Sequence, residues 1–241
     1  MYAFRTRHGP ADLCFTDRFG GVSAPPYDEL NLAVAGEDDQ VAGRRNTRLL
    51  LDDFAPGAEL CDLQQVHGAD VAVVEADGPV ARPVADAAVT RQADVVLMVR
   101  VADCVPVLFV APETGAVAAA HCGRPGLLAG VVPRTIDTLR AWGDASITAW
   151  VGPHVCGACY EVPAAMQDEV ATAVPAARAT TSWGTPSLDI GAGVRAQLEE
   201  GGVTVVDVSR CTRESGDLYS YRRDRDRAGR LAGLVRLRGP A

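Results

Sequence analysis

The chain contains no lysine; all 23 of its basic side chains are arginine. That absence excludes Schiff-base chemistry and leaves any anion site to guanidinium forks, backbone N–H groups or a metal ion. Positive charge is in deficit as well. Against 31 carboxylates the formal charge is −8 and the pI about 5.0. Such a chain lacks the basic footprint for sequence-independent nucleic-acid binding, so no DNA or RNA partner is expected.

There is also no uncharged apolar run of about 18 residues, so no segment is expected to span a membrane. The opening residues 1–10 lack the apolar core of a secretory leader. Seven cysteines, an odd number without such a leader, argue for reduced thiols in the cytoplasm rather than a disulfide framework. Histidine is scarce: His8, His67, His121 and His154 are all there are. What is abundant is apolar surface. At 48 % hydrophobic residues, the 241-residue chain can bury a sizeable core unaided, and no linker or repeat divides it. One domain over 1–241 is the economical reading.

Tyr2–Arg7 alternates as an edge strand, followed by a glycine- and proline-punctuated loop from Thr16 to Tyr27. Asp38 and Asp39 precede Val41, Leu49 and Leu50 at helical spacing, which predicts a helix over about 39–54. Leu63–Val66 and Val71–Glu75 read as short strands around a His67-Gly68 turn. Later come a helix through Leu127 to Trp142, broken by Pro133 or holding it in a first turn, and a strand at Ile147–Val151. Two further helices cover Met166–Val174 and about 189–200, and two strands cover Val203–Val208 and Leu231–Leu237. The run Arg222–Arg227 mixes charges in the manner of a solvated face.

The centre of the chain is Val95–Leu128. Two valine-rich runs, Val95–Val101 and Val105–Val110, flank Ala102-Asp103-Cys104, and a third, Ala116–Ala120, ends on His121. Short apolar runs bounded by turns predict buried strands, with a thiol and an imidazole at neighbouring strand ends. With His67 these make a candidate three-ligand zinc centre with one open position. Asp103 is placed to orient a ligand or touch substrate, unless its side chain faces away from Cys104. Two other readings stay open: Cys104 as a small buried residue beside hydrogen-bonded turn histidines, and Cys104 as a nucleophile activated by His121. Cys156-Gly157-Ala158-Cys159 is one C-x-x-C pair, read as a glycine-shaped loop with incidental thiols. Cys14, Cys61 and Cys211 carry no signal.

Several blocks add to this pattern: Thr16–Ser23, Tyr27 to Leu32, Asn46-Thr47-Arg48, Gln65–Gly68, Ala85-Asp86 to Thr90, and Ala102–Pro106. Ala120-His121 with Gly123, Gly152-Pro153 to Val162, Cys211-Thr212, and Ser220–Asp224 with Gly229-Arg230 complete the set. In this order they resemble the YfiH-type family, once labelled a multicopper polyphenol oxidase or laccase-domain family and now described as purine nucleoside phosphorylases. The resemblance implies an α+β fold, two mixed β-sheets sandwiched by helices. It implies zinc on catalytic His67, Cys104 and His121, and purine nucleosides and phosphate as substrates. Phosphorolysis of adenosine, inosine, guanosine and methylthioadenosine is implied, with adenosine deamination at the same site. Phosphate needs cationic donors, which nominates Arg48, with Asn46 nearby, then Arg222 and Arg223. A monomer is expected, holding about one zinc.

Two departures stand out. Where the family usually shows A-H-A-G-W-R-G, the chain reads Ala120-His121-Cys122-Gly123-Arg124-Pro125-Gly126, so the arginine is lost or displaced to Arg124. The usual second Gly-Pro after Gly152-Pro153 is also replaced, by residues that include His154 and Cys156. The alternatives are a peptidoglycan-precursor editing hydrolase and a metal-stabilised module of reduced activity. A multicopper oxidase is disfavoured, because such centres need many histidines and only two lie in the cluster.

Overall fold

The three central runs form strands buried along their whole length: Val95–Val101, Val105–Ala111 and Ala116–Cys122. Their mostly apolar runs, interrupted by Arg100 and ending on His121 and Cys122, suit strands covered on both faces. The structure, a computed structural model, describes residues 1–36, 38–75, 82–93 and 95–239. Two large sheets stack within it. The first joins Tyr2–His8 (β1), Ala11–Thr16 (β2), Leu231–Leu237 (β13), Val95–Val101 (β6) and Glu59–Asp62 (β3), in that spatial order. The second joins Thr204–Asp207 (β12), Thr148–Val151 (β9), Val105–Ala111 (β7), Ala116–Cys122 (β8), Ala87–Thr90 (β5) and Val71–Val74 (β4). Both are mixed: β3 runs parallel to β6 and β4 parallel to β5, while β7 and β8 are antiparallel. Arg178–Thr180 (β10) and Pro186–Leu188 (β11) pair separately.

Strand periodicity sorts the core into layers. Leu97 and Val99 of β6 point inward with Leu13, Phe15 and Val235, meeting Leu108, Val110, Val117 and Ala119 of the second sheet. The alternate residues Val96 and Met98 point outward, onto Leu50 and Phe54 of Gln40–Phe54 (α1). On the far side, Val131–Arg140 (α3) and Ile190–Glu200 (α5) press Ile136, Leu139, Val194 and Leu198 onto Val107, Phe109, Ala118 and Ala120. Each such buried aliphatic contributes about 1.5–3 kcal/mol. The expectation of two mixed sheets between helices stands. Arg124–Ala129 (α2), Ala164–Ala173 (α4) and the short Tyr221–Asp224 (α6) complete the set. Among the described residues no helix is long and apolar enough to cross a membrane, and all seven cysteines are free thiols.

Local expectations divide. Asp39 caps α1 by accepting from the Val41 N–H at 2.8 Å, whereas Asp38 turns back to Ser23 and Asn31. The helix after His121 breaks at Gly130, whose φ of 78° ends α2, and Pro133 sits in the first turn of α3. The strand expected at Leu63–Val66 lies earlier, at Glu59–Asp62. By Leu63 the chain is already leaving the first sheet, and only Gln64 keeps an isolated bridge, to Val84. That departure matters, because it carries His67 across to the second sheet.

Candidate metal centre and its flanking cavities

Twice the chain passes from the first sheet to the second, and each passage carries a candidate ligand. Between β3 and β4 lies His67; between β6 and β7 lies Cys104. His121 comes up the neighbouring β8. Both passages adopt a left-handed backbone without glycine, at His67 (φ 60°) and Asp103 (φ 85°), a conformation that needs outside support. A carboxylate supplies it each time. Asp86 accepts from the N–H groups of Val66 (3.1 Å), His67 (2.9 Å) and Gly68 (2.7 Å). Asp103 accepts from the Thr212 hydroxyl at 2.6 Å and the Arg222 N–H at 2.5 Å.

Asp86 also orients the third ligand. Its carboxylate lies 2.8 Å from Nδ1 of His121, and its carbonyl accepts the His121 backbone N–H at 2.7 Å. With Nδ1–H given to the carboxylate, Nε2 is the nitrogen that faces a metal, which displaces any proton there on binding. The donor atoms of His67, Cys104 and His121 all lie within 4.8 Å of one another, and Sγ of Cys104 is 3.8 Å from Nε2 of His67. The two imidazoles meet edge to face, centroids 4.8 Å apart.

The electrostatics favour the metal-binding form of the thiol. Burial alone raises the Cys104 pKa, but His121 and His67 outweigh it and bring it down to about 6. For His121, burial works downward, while Cys104 and Asp86 lift it to about 9. Asp86 is held below the usual carboxylate range: burial opposes this, and the bonds from His121, Gly68 and Val66 prevail. Two imidazoles and a thiolate are a donor set that zinc accepts, with a fourth position open.

Gly123 forms the floor. A Cβ there would fall 2.7 Å from Cδ2 of His67 and 3.1 Å from Sγ of Cys104. Gly123→Ala is therefore expected to fold, at a cost of about 1–3 kcal/mol for overpacking. Any metal ion at this centre should be held roughly tenfold less tightly, because the two ligands must part. A chelator competition titration reads this, and unaltered affinity would refute it.

Two cavities flank Cys104. One, of about 440 Å³, is lined by Leu63, Gln65, Arg82, Arg100 and Arg230 beside the three ligands. The other, of about 280 Å³, is lined by Gly123, Arg124, Tyr160, Arg222 and Arg225, and Tyr221 borders both. Their arginines differ. Arg82 and Arg100 pair with Asp62, and Arg230 donates to the carbonyls of Ala228 and Gly229. Arg222 lies over the Tyr160 ring and donates to the Glu161 carbonyl. Among the described residues, the Arg124 and Arg225 guanidiniums have no hydrogen-bond or ion-pair partner, which leaves them available to an anion.

Residues 12–238 match the family described as multi-copper polyphenol oxidoreductase laccase. The chain belongs to this family. A Streptomyces coelicolor protein named a purine nucleoside phosphorylase is 54 % identical, the match covering 93 % of this chain and 95 % of that one. The crystal structure of Neisseria meningitidis protein NMB0706 superposes with a TM-score of 0.86 at 32 % identity, over 98 % of this chain and 99 % of that one. That of Bacillus licheniformis YfiH gives 0.84 at 26 % identity, over 95 % and 93 %. The resemblance to YfiH-type proteins is thereby borne out. In this laccase-family member the other two histidines lie elsewhere: His8 packs edge-on against Trp150, and His154 is buried with Nδ1 2.8 Å from the Gly152 carbonyl.

The remaining nominated residues do other work. Asn46 is wholly buried, its amide bonded to Ser23, the carbonyls of Glu29 and Asn31, and the Val22 N–H, so it has no valence left for phosphate. Arg48 stands exposed on α1, outside the lining of both cavities. Asp103 faces away from the thiol, into Thr212 and α6. Arg223 is only partly exposed and its guanidinium is committed: it donates to the carbonyls of Thr212, Ser215 and Leu218. Of the nominated arginines, only Arg222 reaches a cavity. The sequence reading missed the role of Asp86, although Ala85-Asp86 stood among the family blocks. It also missed Arg225, hidden in a run read as solvated.

Proposed function

We propose that the protein is a zinc-dependent purine nucleoside phosphorylase, acting on adenosine, inosine, guanosine and methylthioadenosine, and that it also deaminates adenosine. The observation that carries this reading is the convergence of His67, Cys104 and His121 between two cavities, one of which offers uncommitted guanidiniums. Relatives named purine nucleoside phosphorylases, at up to 54 % identity, support it.

In this reading the larger cavity takes the nucleoside. Arg124, Arg222 and Arg225 hold phosphate in the smaller one, replacing Arg48 and Arg223 in that role. Guanidinium forks suit phosphate oxygens and keep their charge at any physiological pH. They hold the phosphate for attack on the anomeric carbon as the carbon–nitrogen bond to the base breaks. When bound by His67, Cys104 and His121, zinc supplies Lewis acidity to a substrate atom at its open position. Tyr221, at the border of both cavities, sits where sugar and phosphate would meet. Free thiols fit the cytoplasm, and one chain carries every ligand, so a monomer over 1–241 suffices as the catalytic domain.

Metal-replete protein is incubated with each nucleoside, with and without inorganic phosphate, and the products are separated. Free base and ribose 1-phosphate (5-methylthioribose 1-phosphate from methylthioadenosine) should appear only with phosphate, and ammonia from adenosine without it. Absence of phosphate-dependent base release from all four nucleosides would overturn the reading.

A further inference from the structure

A second convergence of metal-ligating groups lies next to Val155 and Tyr160, two residues that line the smaller cavity. Sγ of Cys156, Cys159 and Cys211 and a carboxylate oxygen of Glu214 all lie within 4.8 Å of one another. Two facing turns build it, each presenting donors three residues apart: Cys156 with Cys159, and Cys211 with Glu214. In the first turn, the N–H groups of Cys159 and Tyr160 both donate to the Cys156 carbonyl, at 3.0 and 3.1 Å. In the second, the Ser215 N–H donates to the Cys211 carbonyl at 3.1 Å. The turns are joined by a short parallel bridge, His154 to Cys211, and the Cys156 N–H points at Sγ of Cys211 from 3.4 Å. Backbone N–H groups aimed at sulfur are the support a thiolate needs.

We propose that Cys156, Cys159, Cys211 and Glu214 hold a second, structural zinc ion, separate from the centre at His67, Cys104 and His121. Three thiolates and one carboxylate make a closed tetrahedral set of the kind structural zinc takes. At zinc–sulfur bonds of about 2.3 Å the sulfurs stand ~3.8 Å apart, so the donors close in by no more than about 1 Å. A disulfide would use two of the thiols and leave the third, with the carboxylate, unexplained. Glu214 supports the metal further: among the described residues its carboxylate has no hydrogen-bond or ion-pair partner, although it lies against three thiols. The complex would carry excess negative charge, and Arg213 is in place to offset it. Its guanidinium lies over the Trp183 ring, and it pulls against the rise that burial imposes on Cys159.

The ion would brace the cavity next to the first centre. Tyr160, directly after Cys159, lines that cavity; Thr212, directly after Cys211, holds Asp103 beside Cys104. The sequence hides the set because its halves are about fifty residues apart and the fourth donor is a glutamate.

The test counts metal, so it stands apart from any failure of the phosphorylase reading. Untagged full-length protein, purified without chelator, should hold two zinc ions per chain. Cys104→Ala and Cys211→Ser should each hold one, and X-ray absorption at the zinc edge of Cys104→Ala should show three sulfur neighbours. Glu214→Gln, at an exposed position that threatens no core, should release one of two ions to a chelator about tenfold faster than wild type. The proposal is overturned by wild-type protein with a single ion that Cys104→Ala abolishes, by release from Glu214→Gln at the wild-type rate, or by a disulfide within the cluster.

Discussion

Cys104→Ala should lose the zinc proposed at His67 and His121 and lower the proposed phosphorolysis by about a thousandfold or more. Structural zinc sites contribute on the order of 10–16 kcal/mol. One of three protein ligands carries about a third of that, some 4 kcal/mol, or roughly a thousandfold in affinity. A Lewis acid supplies several kcal/mol in the transition state, which converts to a similar factor in rate. The variant is expected to fold, because the turn is held by the two bonds of Asp103 rather than by the thiol. Its melting temperature should fall only by the linkage lost with the ion. Metal analysis and activity are read on the same preparation. A variant that kept both would remove Cys104 from the centre.

The second large effect is expected at Asp86, where substitution separates orientation from support. In Asp86→Ala, the N–H groups of Val66, His67 and Gly68 and the His121 imidazole lose their acceptor together. Unsatisfied buried donors cost about 1–3 kcal/mol each. Water reaches the exposed His67 turn and recovers part of this, leaving a loss of about 4 kcal/mol and a melting point roughly 10 °C lower. Asp86→Asn keeps the shape but changes the chemistry. With its carbonyl towards the Val66 and Gly68 N–H groups, its NH2 replaces the oxygen shared by the His67 N–H and Nδ1 of His121, and moves the imidazole proton to Nε2, the atom a metal needs. Metal affinity should fall about 10–100-fold, with a smaller drop in melting temperature than in Asp86→Ala because only the His67 N–H loses its acceptor. Zinc binding by Asp86→Asn at wild-type affinity would show that the carboxylate does not set the tautomer.

The sequence made the middle of the fold legible and its edges less so. Val95–Val101 emerges with its bounds intact because five apolar residues run unbroken before Arg100, and Val101 resumes the run. Ala11–Thr16 escaped notice, since Asp12 breaks the apolar run and makes sense only between Arg7 and Arg236 on the neighbouring strands. Ala87–Thr90 is too short and too rich in alanine to announce a strand. At the site, His67, Cys104 and His121 stood out as rare residue types at strand ends. Asp86 did not, because a single aspartate has no periodicity and acquires its role from the pairing of Ala87 with Ala120, which sets it beside His121. Arg223 and Asn46 show the converse. Both are chemically suited to phosphate, and both are consumed by carbonyls or amides that only the folded chain brings near.

The two passages from the first sheet to the second carry one more implication. Both ligands on them sit where the sandwich would begin to open, while His121 belongs to the second sheet alone. An ion gripped by all three acts as a rivet at the seam. Prying the layers apart must then break the coordination, so the molecule should forfeit its chemistry and its architecture in the same event.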